Sequence, residues 1–278
     1  MQTILVPVDF SSTSYNAARY AIRLAVQLNT ERIVLYNAFE LPVMANGGLT
    51  APIVIDIEEI KSNSSKALQT MQEKLKAEFN NLSVAIETLN NYNTVLNGIK
   101  ETVAELKVHL IIMGITGGSS IEQSLIGSNT IDVSRESKVP VIIVPPKAVF
   151  KQIQNTYLAY GLQYINENLP AKPITDFLFT AKSNFGILHV EKDASKKYTD
   201  NDFIGKPVNT AFAAFKPKHH IIYHTDFVEG VNNFTDNNLI DLLIIIPKKH
   251  GFFDRLFNKS HTKMLAFHSH VPIMVVHE

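Results

Sequence analysis

A chain of 278 residues with 45% apolar composition holds enough material for two hydrophobic cores, so two domains are expected. Its 26 basic and 26 acidic residues leave no surplus positive charge to release counterions, which argues against nucleic acid as a partner. The lack of cysteine excludes disulfides and Cys-ligated metal, while the absence of a basic leader and of any apolar run near the ~20 residues of a spanning helix gives the expectation of a cytoplasmic protein with no membrane partner.

Thr3 to Val8 and Arg32 to Phe39 read as strands, and between them Ala17, Ala21, Leu24, Ala25 and Leu28 recur at helical spacing behind Ser11 and Ser12. This is a βαβ unit. A loop with Pro42, Gly47, Gly48 and Pro52 leads to a long amphipathic pattern through Ile60, Ala67, Leu68, Met71, Leu75 and Phe79. Leu82 to Thr88 predicts a third strand, Val95 to Leu106 a helix and Val108 to Met113 a fourth strand. Ser128 to Ser137 then predicts a helix and Val139 to Val144 a fifth strand. Such alternation points to an α/β protein with a doubly wound parallel sheet.

The second half repeats the first. Val139-Pro140-Val141 recurs 132 residues later as Val271-Pro272-Ile273, and the same shift carries Leu110-Ile111-Ile112 onto Leu242-Leu243-Ile244. Nearer the start the shift is about 152, since Ile33 to Ala38 resembles Phe185 to Val190, so about twenty residues are missing between the second and third strands of the copy. The gap is expected in the loop and long helix. Pro145 to Gln152, opening on two prolines, reads as a linker between domains at 1–146 and 151–278.

The chemistry-bearing pattern is Gly114-Ile115-Thr116-Gly117, followed by Gly127-Ser128-Asn129-Thr130. It leaves a short, wholly apolar strand and enters a helix for which Ser128 is a suitable N-cap. Glycines allow the backbone to approach an anion, and the free N-H groups of a helix start supply donors and partial positive charge. Shifted by 132, Gly114, Gly117 and Gly127 become Ile246, Lys249 and Lys259, and only Ser128 survives, as Ser260. Asp9, which follows the first strand, maps onto Gly161 or Leu162. The anion site is therefore expected in the first half alone.

These residues resemble the universal stress protein family in its tandem form. Its motif GxxGx9G(S/T) is met by Gly114, Gly117, Gly127 and Ser128, and its opening strand ending in Asp-x-Ser by Val6-Pro7-Val8-Asp9-Phe10-Ser11. The resemblance is strong over residues 1 to 146 and weaker over 151 to 278. It implies two tandem five-stranded parallel sheets in the order 3-2-1-4-5, Rossmann-like and of the adenine nucleotide alpha hydrolase type. It also implies a role in stress survival and ATP, ADP or AMP as ligand, with or without Mg2+. By resemblance, Pro7, Val8 and Asp9 line the adenosine side, the Ala38 backbone meets the adenine edge, and Met113 and Gly114 form the strand end. Gly117, Gly127, Ser128 and Asn129 would hold phosphates and ribose. Pairing through the last strands would give an intramolecular pseudo-dimer, with a further homodimer left open.

Each residue has a structural alternative. Gly114 and Gly117 can simply permit a tight strand exit, Gly127 can be a helix-entry glycine, and Asp9 can cap the helix that begins near Ser12. Between Gly114 and Asn129 the sole charged residue is Glu122, so nothing local neutralises a phosphoryl group in flight, and a binding protein is expected rather than an enzyme. A weak ATP-hydrolysing or nucleotidyl-transferring activity is the second hypothesis. A metal or small-ligand scaffold is the third, because nine of the ten histidines follow residue 188. The spacing of His219, His220, His224, His250, His261, His268 and His270 matches no metal motif. Lys248, Lys249 and Lys259 lie among them, and Phe252-Phe253 with Leu256-Phe257 predict a short packed helix.

Overall fold

The computed structural model describes residues 2–40, 56–80, 83–115, 128–161, 169–203, 205–246 and 271–277. The first half runs β1 (Thr3–Pro7), α1 (Ser12–Gln27), β2 (Arg32–Phe39), α2 (Ile57–Glu78), β3 (Ala85–Tyr92), α3 (Val95–Glu105), β4 (Leu110–Gly114), α4 (Ser128–Glu136) and β5 (Val141–Val144). The second runs β6 (Asn155–Gly161), α5 (Ala171–Ala181), β7 (Asn184–Glu191), α6 (Pro207–Ala211), β8 (Lys218–Tyr223), α7 (Phe227–Asn237), β9 (Leu242–Ile245) and β10 (Ile273–Val275). Among the described residues no helix is long and apolar enough to cross a membrane.

Each half has the order 3-2-1-4-5, and the two join into one ten-stranded sheet, β3-β2-β1-β4-β5-β10-β9-β6-β7-β8. Every pairing within a half is parallel; the junction of β5 with β10 is antiparallel. The expected two sheets are thus halves of one, because each half ends in a short, wholly buried apolar strand whose free edge the other covers.

Packing explains the elements. Ser11 caps α1 by accepting from Ser14 N at 3.2 Å, and Ala17, Ala18, Ala21 and Ala25 give the helix a thin face that sits close to the sheet. β3 begins and ends later than the Leu82 to Thr88 expectation, since its register with all eight residues of β2 carries it on through Asn90, Asn91 and Tyr92. Leu82 itself lies outside the described residues. An edge strand needs pairing on one flank only, so polar residues continue it. β5 starts at Val141 rather than Val139, after Pro140, which has no N-H to give and contributes its carbonyl to Ile111 N at 3.0 Å.

The repeat is visible in the elements. β7 reproduces β2 at a shift of 152, and β9 and β10 reproduce β4 and β5 at 132. The shortened stretch is 192–217 against 40–84, where α6, flanked by 3-10 turns at Asp200–Phe203 and Ala213–Phe215, stands in place of long α2. The segment after β5 is packed down: Asn16 Nδ2 donates to the Ala148 carbonyl at 3.0 Å, and the ring of Phe150 meets Tyr20 edge-on at 5.1 Å. One apolar cluster runs under α1, α2 and α5 across both halves, whereas the opposite face holds two clusters, one within the first half and one in the second half that also takes in Ile143 of β5.

Candidate functional site

β1 lies between β2 and β4 and pairs with both in parallel, Pro7 opposite Tyr36 and Leu5 opposite Ile111. Chain progression reverses between β1 and β4, so their carboxyl ends flank the crevice where open α/β sheets take ligands. Pro7, Val8 and Asp9 leave β1 there, Ala38 lies near the end of β2, and Met113 and Gly114 end β4. The N-termini of α1 and α4 rise from the same edge, which brings Asn129 to it. The crevice thus gathers residues more than a hundred positions apart in the chain.

Backbone and polar side chains fix its floor. Val8 N donates to the Tyr36 carbonyl at 2.8 Å, and Asn37 Nδ2 donates to the Val8 carbonyl at 2.7 Å. Asn37 Oδ1 accepts from Ser64 Oγ of α2 at 2.8 Å. Asp9 is exposed, and its Oδ1 accepts from Ser11 N at 3.1 Å and Ser11 Oγ at 2.5 Å. The helix cap is Ser11, and Asp9 braces that cap instead of supplying it. Between them Phe10 has φ 63° and is 42% exposed, an unusual left-handed conformation for a bulky residue at a strand exit.

Gly114 is required for a reason different from anion approach. A Cβ there would lie 2.6 Å from the Thr13 carbonyl oxygen, so the bare position lets the first turn of α1 rest on the end of β4. Its own carbonyl accepts from Thr130 Oγ1 at 3.1 Å, which ties the first turn of α4 to the strand. Thr130 is 1% exposed. Ser128, expected as the N-cap, is instead the first residue of α4, a difference within the ordinary scatter of helix boundaries. Gly117, Gly127 and the side chain of Ser128 lie outside the described residues, as do the loop with Pro42, Gly47, Gly48 and Pro52 and residues 247–270 of the second half.

Thr13, Asn37 and Ser64 were not singled out in the sequence, and Thr130 was named only as the last residue of the glycine pattern, without a role. Thr130 had a signal, a hydroxyl in the first turn of the helix after the glycine pattern; Asn37 had one too, a polar residue at an inward position of a buried strand. Ser64 had a positional one, since it lies four residues after Ile60 and four before Leu68 on the inward stripe of the amphipathic pattern.

The second half differs at the corresponding places. His189 occupies the position of Asn37, is fully buried, and its Nε2 lies 2.9 Å from Nδ1 of His219. The Phe203 ring stacks on both imidazoles, at 4.7 and 4.1 Å between centroids. Ile246, in the place of Gly114, is buried. Among the described residues no group of three or more His, Cys, Asp or Glu side chains could hold a metal ion. His250, His261, His268 and His270 lie outside them, with Lys248, Lys249, Lys259 and the Phe252 to Phe257 stretch.

The model of the universal stress protein family matches residues 1–145. Universal stress protein MJ0531 of Methanocaldococcus jannaschii is 30% identical over 143 residues, which cover 51% of this chain and 80% of that protein. Universal stress protein YxiE of Bacillus subtilis is 28% identical over 144 residues, 51% of this chain and 97% of its own. The crystal structure of a universal stress protein from Archaeoglobus fulgidus aligns with 99% of this chain and 96% of that one, at a TM-score of 0.70 and 19% identity, a likeness of fold over both halves.

Proposed function

Because the chain belongs to the universal stress protein family, we propose that it is a stress-response regulator whose first domain, residues 1–146, binds ATP or a related adenine nucleotide. Residues 151–278 are then a second, degenerate domain with a structural or regulatory use. The observation that carries this reading is the meeting of Asp9 and Gly114 at the switch between β1 and β4, with the N-termini of α1 and α4 beside them. Main-chain N-H groups at such an edge favour an anionic tail, and the main chain at Ala38, half-buried near the end of β2, suits the polar edge of a base.

Binding without efficient turnover follows from the charges. Between Gly114 and Asn129 there is no Lys or Arg, so no side chain of that loop offsets the charge of a phosphoryl group in transfer. Asp9 is the carboxylate available to a divalent ion that arrives with the nucleotide.

Titration calorimetry with ATP tests the reading. Wild type should bind, and Gly117→Val combined with Gly127→Val should weaken binding at least tenfold, about 1.4 kcal/mol. Equal affinity in the two proteins rejects the site.

A further inference from the structure

We infer that Asn37 is a positioning residue for the crevice and that, through Ser64, it couples occupancy of the crevice to the N-terminal half of α2. The inference rests on the nucleotide reading above and adds to it a route by which the bound state is felt elsewhere.

The route begins at the Val8 carbonyl, just past the crevice end of β1, which accepts from the Asn37 side-chain amide at 2.7 Å. Asn37 uses its other end to accept from Ser64 Oγ at 2.8 Å. One carboxamide therefore touches β1 at the crevice and α2 outside it. A shift of the Val8 main chain on ligand binding changes the geometry of both bonds.

α2 is built to respond in one half only. Its apolar anchors, Leu68, Met71 and Leu75, all lie in the C-terminal part. Within 57–66 Ser64 alone is buried, and Ile57 is 42% exposed. Ile60 is half-buried, and the described hydrogen bonds that tie this front half to the sheet are Ser64 to Asn37, and Asn90 of β3, whose Nδ2 donates to the Lys61 carbonyl and to Ser65 Oγ, both at 3.1 Å. Hydrogen bonds contribute little net stability compared with buried apolar area, so this half opens at lower free energy than the rest of the helix. Tightening or loosening one bond is then a large fraction of what holds it.

Hydrogen exchange of the full chain, with ATP as the probe, tests the coupling. In wild type ATP should slow exchange at the crevice segments 3–14 and 128–133, and slow 57–66 by about fivefold, the worth of one strengthened hydrogen bond. In Ser64→Ala the slowing at the crevice should persist while that at 57–66 disappears, and Ser64→Thr, which keeps the hydroxyl, should restore it. Asn37→Asp keeps an acceptor for Ser64 but replaces the donor to the Val8 carbonyl, so ATP affinity should fall about tenfold with exchange of 57–66 in the ligand-free protein unchanged. If Ser64→Ala behaves like wild type, or if wild type slows at the crevice alone, the coupling is wrong and nucleotide binding stands. No slowing anywhere overturns both.

Discussion

Ile142 and Met274 face each other across the antiparallel junction of β5 and β10, and they are also the same position of the two repeats, 132 residues apart. The flanking pairs, Val141 with Val275 and Ile143 with Ile273, exchange under that same shift. The junction is thus a pseudo-twofold axis running through one pair of side chains, the single-chain counterpart of an isologous dimer interface.

Both side chains are fully buried in the cluster that spans the halves. Ile142→Ala should therefore cost about 2–5 kcal/mol, as for other large-to-small core changes. Because the cluster is shared, urea unfolding followed by circular dichroism should show a single transition moved to lower urea. Loss of one half at low urea with the other unaffected would show that the halves are independent cores.

Gly114→Ala tests the other close contact. Its Cβ would meet the Thr13 carbonyl at 2.6 Å, and the clashing atom is backbone in a helix packed on the sheet, so it cannot swing away. We expect a loss of about 1–3 kcal/mol from overpacking. Since α1 must lift at its N-terminus, next to Asp9 and Ser11, ATP affinity should fall as well. Thermal melting and calorimetry of the same variant check both outcomes, and a protein as stable as wild type would show that α1 gives way freely.

The strands could be placed in advance wherever apolar runs are continuous, as in β1, β4 and β5, because strands buried on both faces have no polar alternation to confuse them, whereas their order came from the family resemblance. The repeat located β7, β9 and β10 for the same reason. β3 was misplaced by several residues, since an edge strand is extended by its neighbour's register and not by its own hydrophobicity. Of the expected crevice residues, Asp9 and Gly114 follow β1 and end β4, while Gly117 and Gly127, which complete the glycine spacing, lie outside the described residues. The reason for Gly114 was not legible, because its partner, Thr13, is a main-chain contact that no side-chain pattern encodes. The Asn37 to Ser64 link escaped for a different reason: periodicity puts Ser64 on the inward stripe of α2, but it does not say which strand residue the hydroxyl meets.

Acid should weaken the fold through two histidines. Burial holds the His277 imidazole below its usual pKa, partly offset by its bond to the Ser134 carbonyl; burial, with Lys218 nearby, does the same to His220. The folded state therefore binds fewer protons than the unfolded chain just below the ordinary histidine pKa of 6.5. Their contribution is complete above that value and is lost as pH falls through the depressed folded pKa values. Urea midpoints at about pH 7.5 and about pH 5.5 should show wild type weaker at the lower pH, with the difference reduced in His277→Asn and His220→Asn. A midpoint insensitive to pH would contradict the shifts.

Gln27 holds the two halves together at the opposite end of α1. Its Nε2 donates to the carbonyls of Ile153 at 2.9 Å and Ala181 at 3.0 Å, and its Oε1 accepts from Ile153 N at 2.9 Å. Ile153 is buried at 1% exposure, just before the first strand of the second half, so Gln27→Ala removes partners from main-chain groups that water reaches poorly. The expected cost is about 1–3 kcal/mol. Gln27→Glu should cost more than Ala, because it keeps the acceptor for Ile153 N but turns a second carboxylate oxygen toward two carbonyls that had received N-H donors. Paired with Ile142→Ala, which shares none of these hydrogen bonds, Gln27→Ala should add within about 0.5 kcal/mol. A larger coupling in the double-mutant cycle would mean that the linker contact and the β5 to β10 junction form and break as one unit.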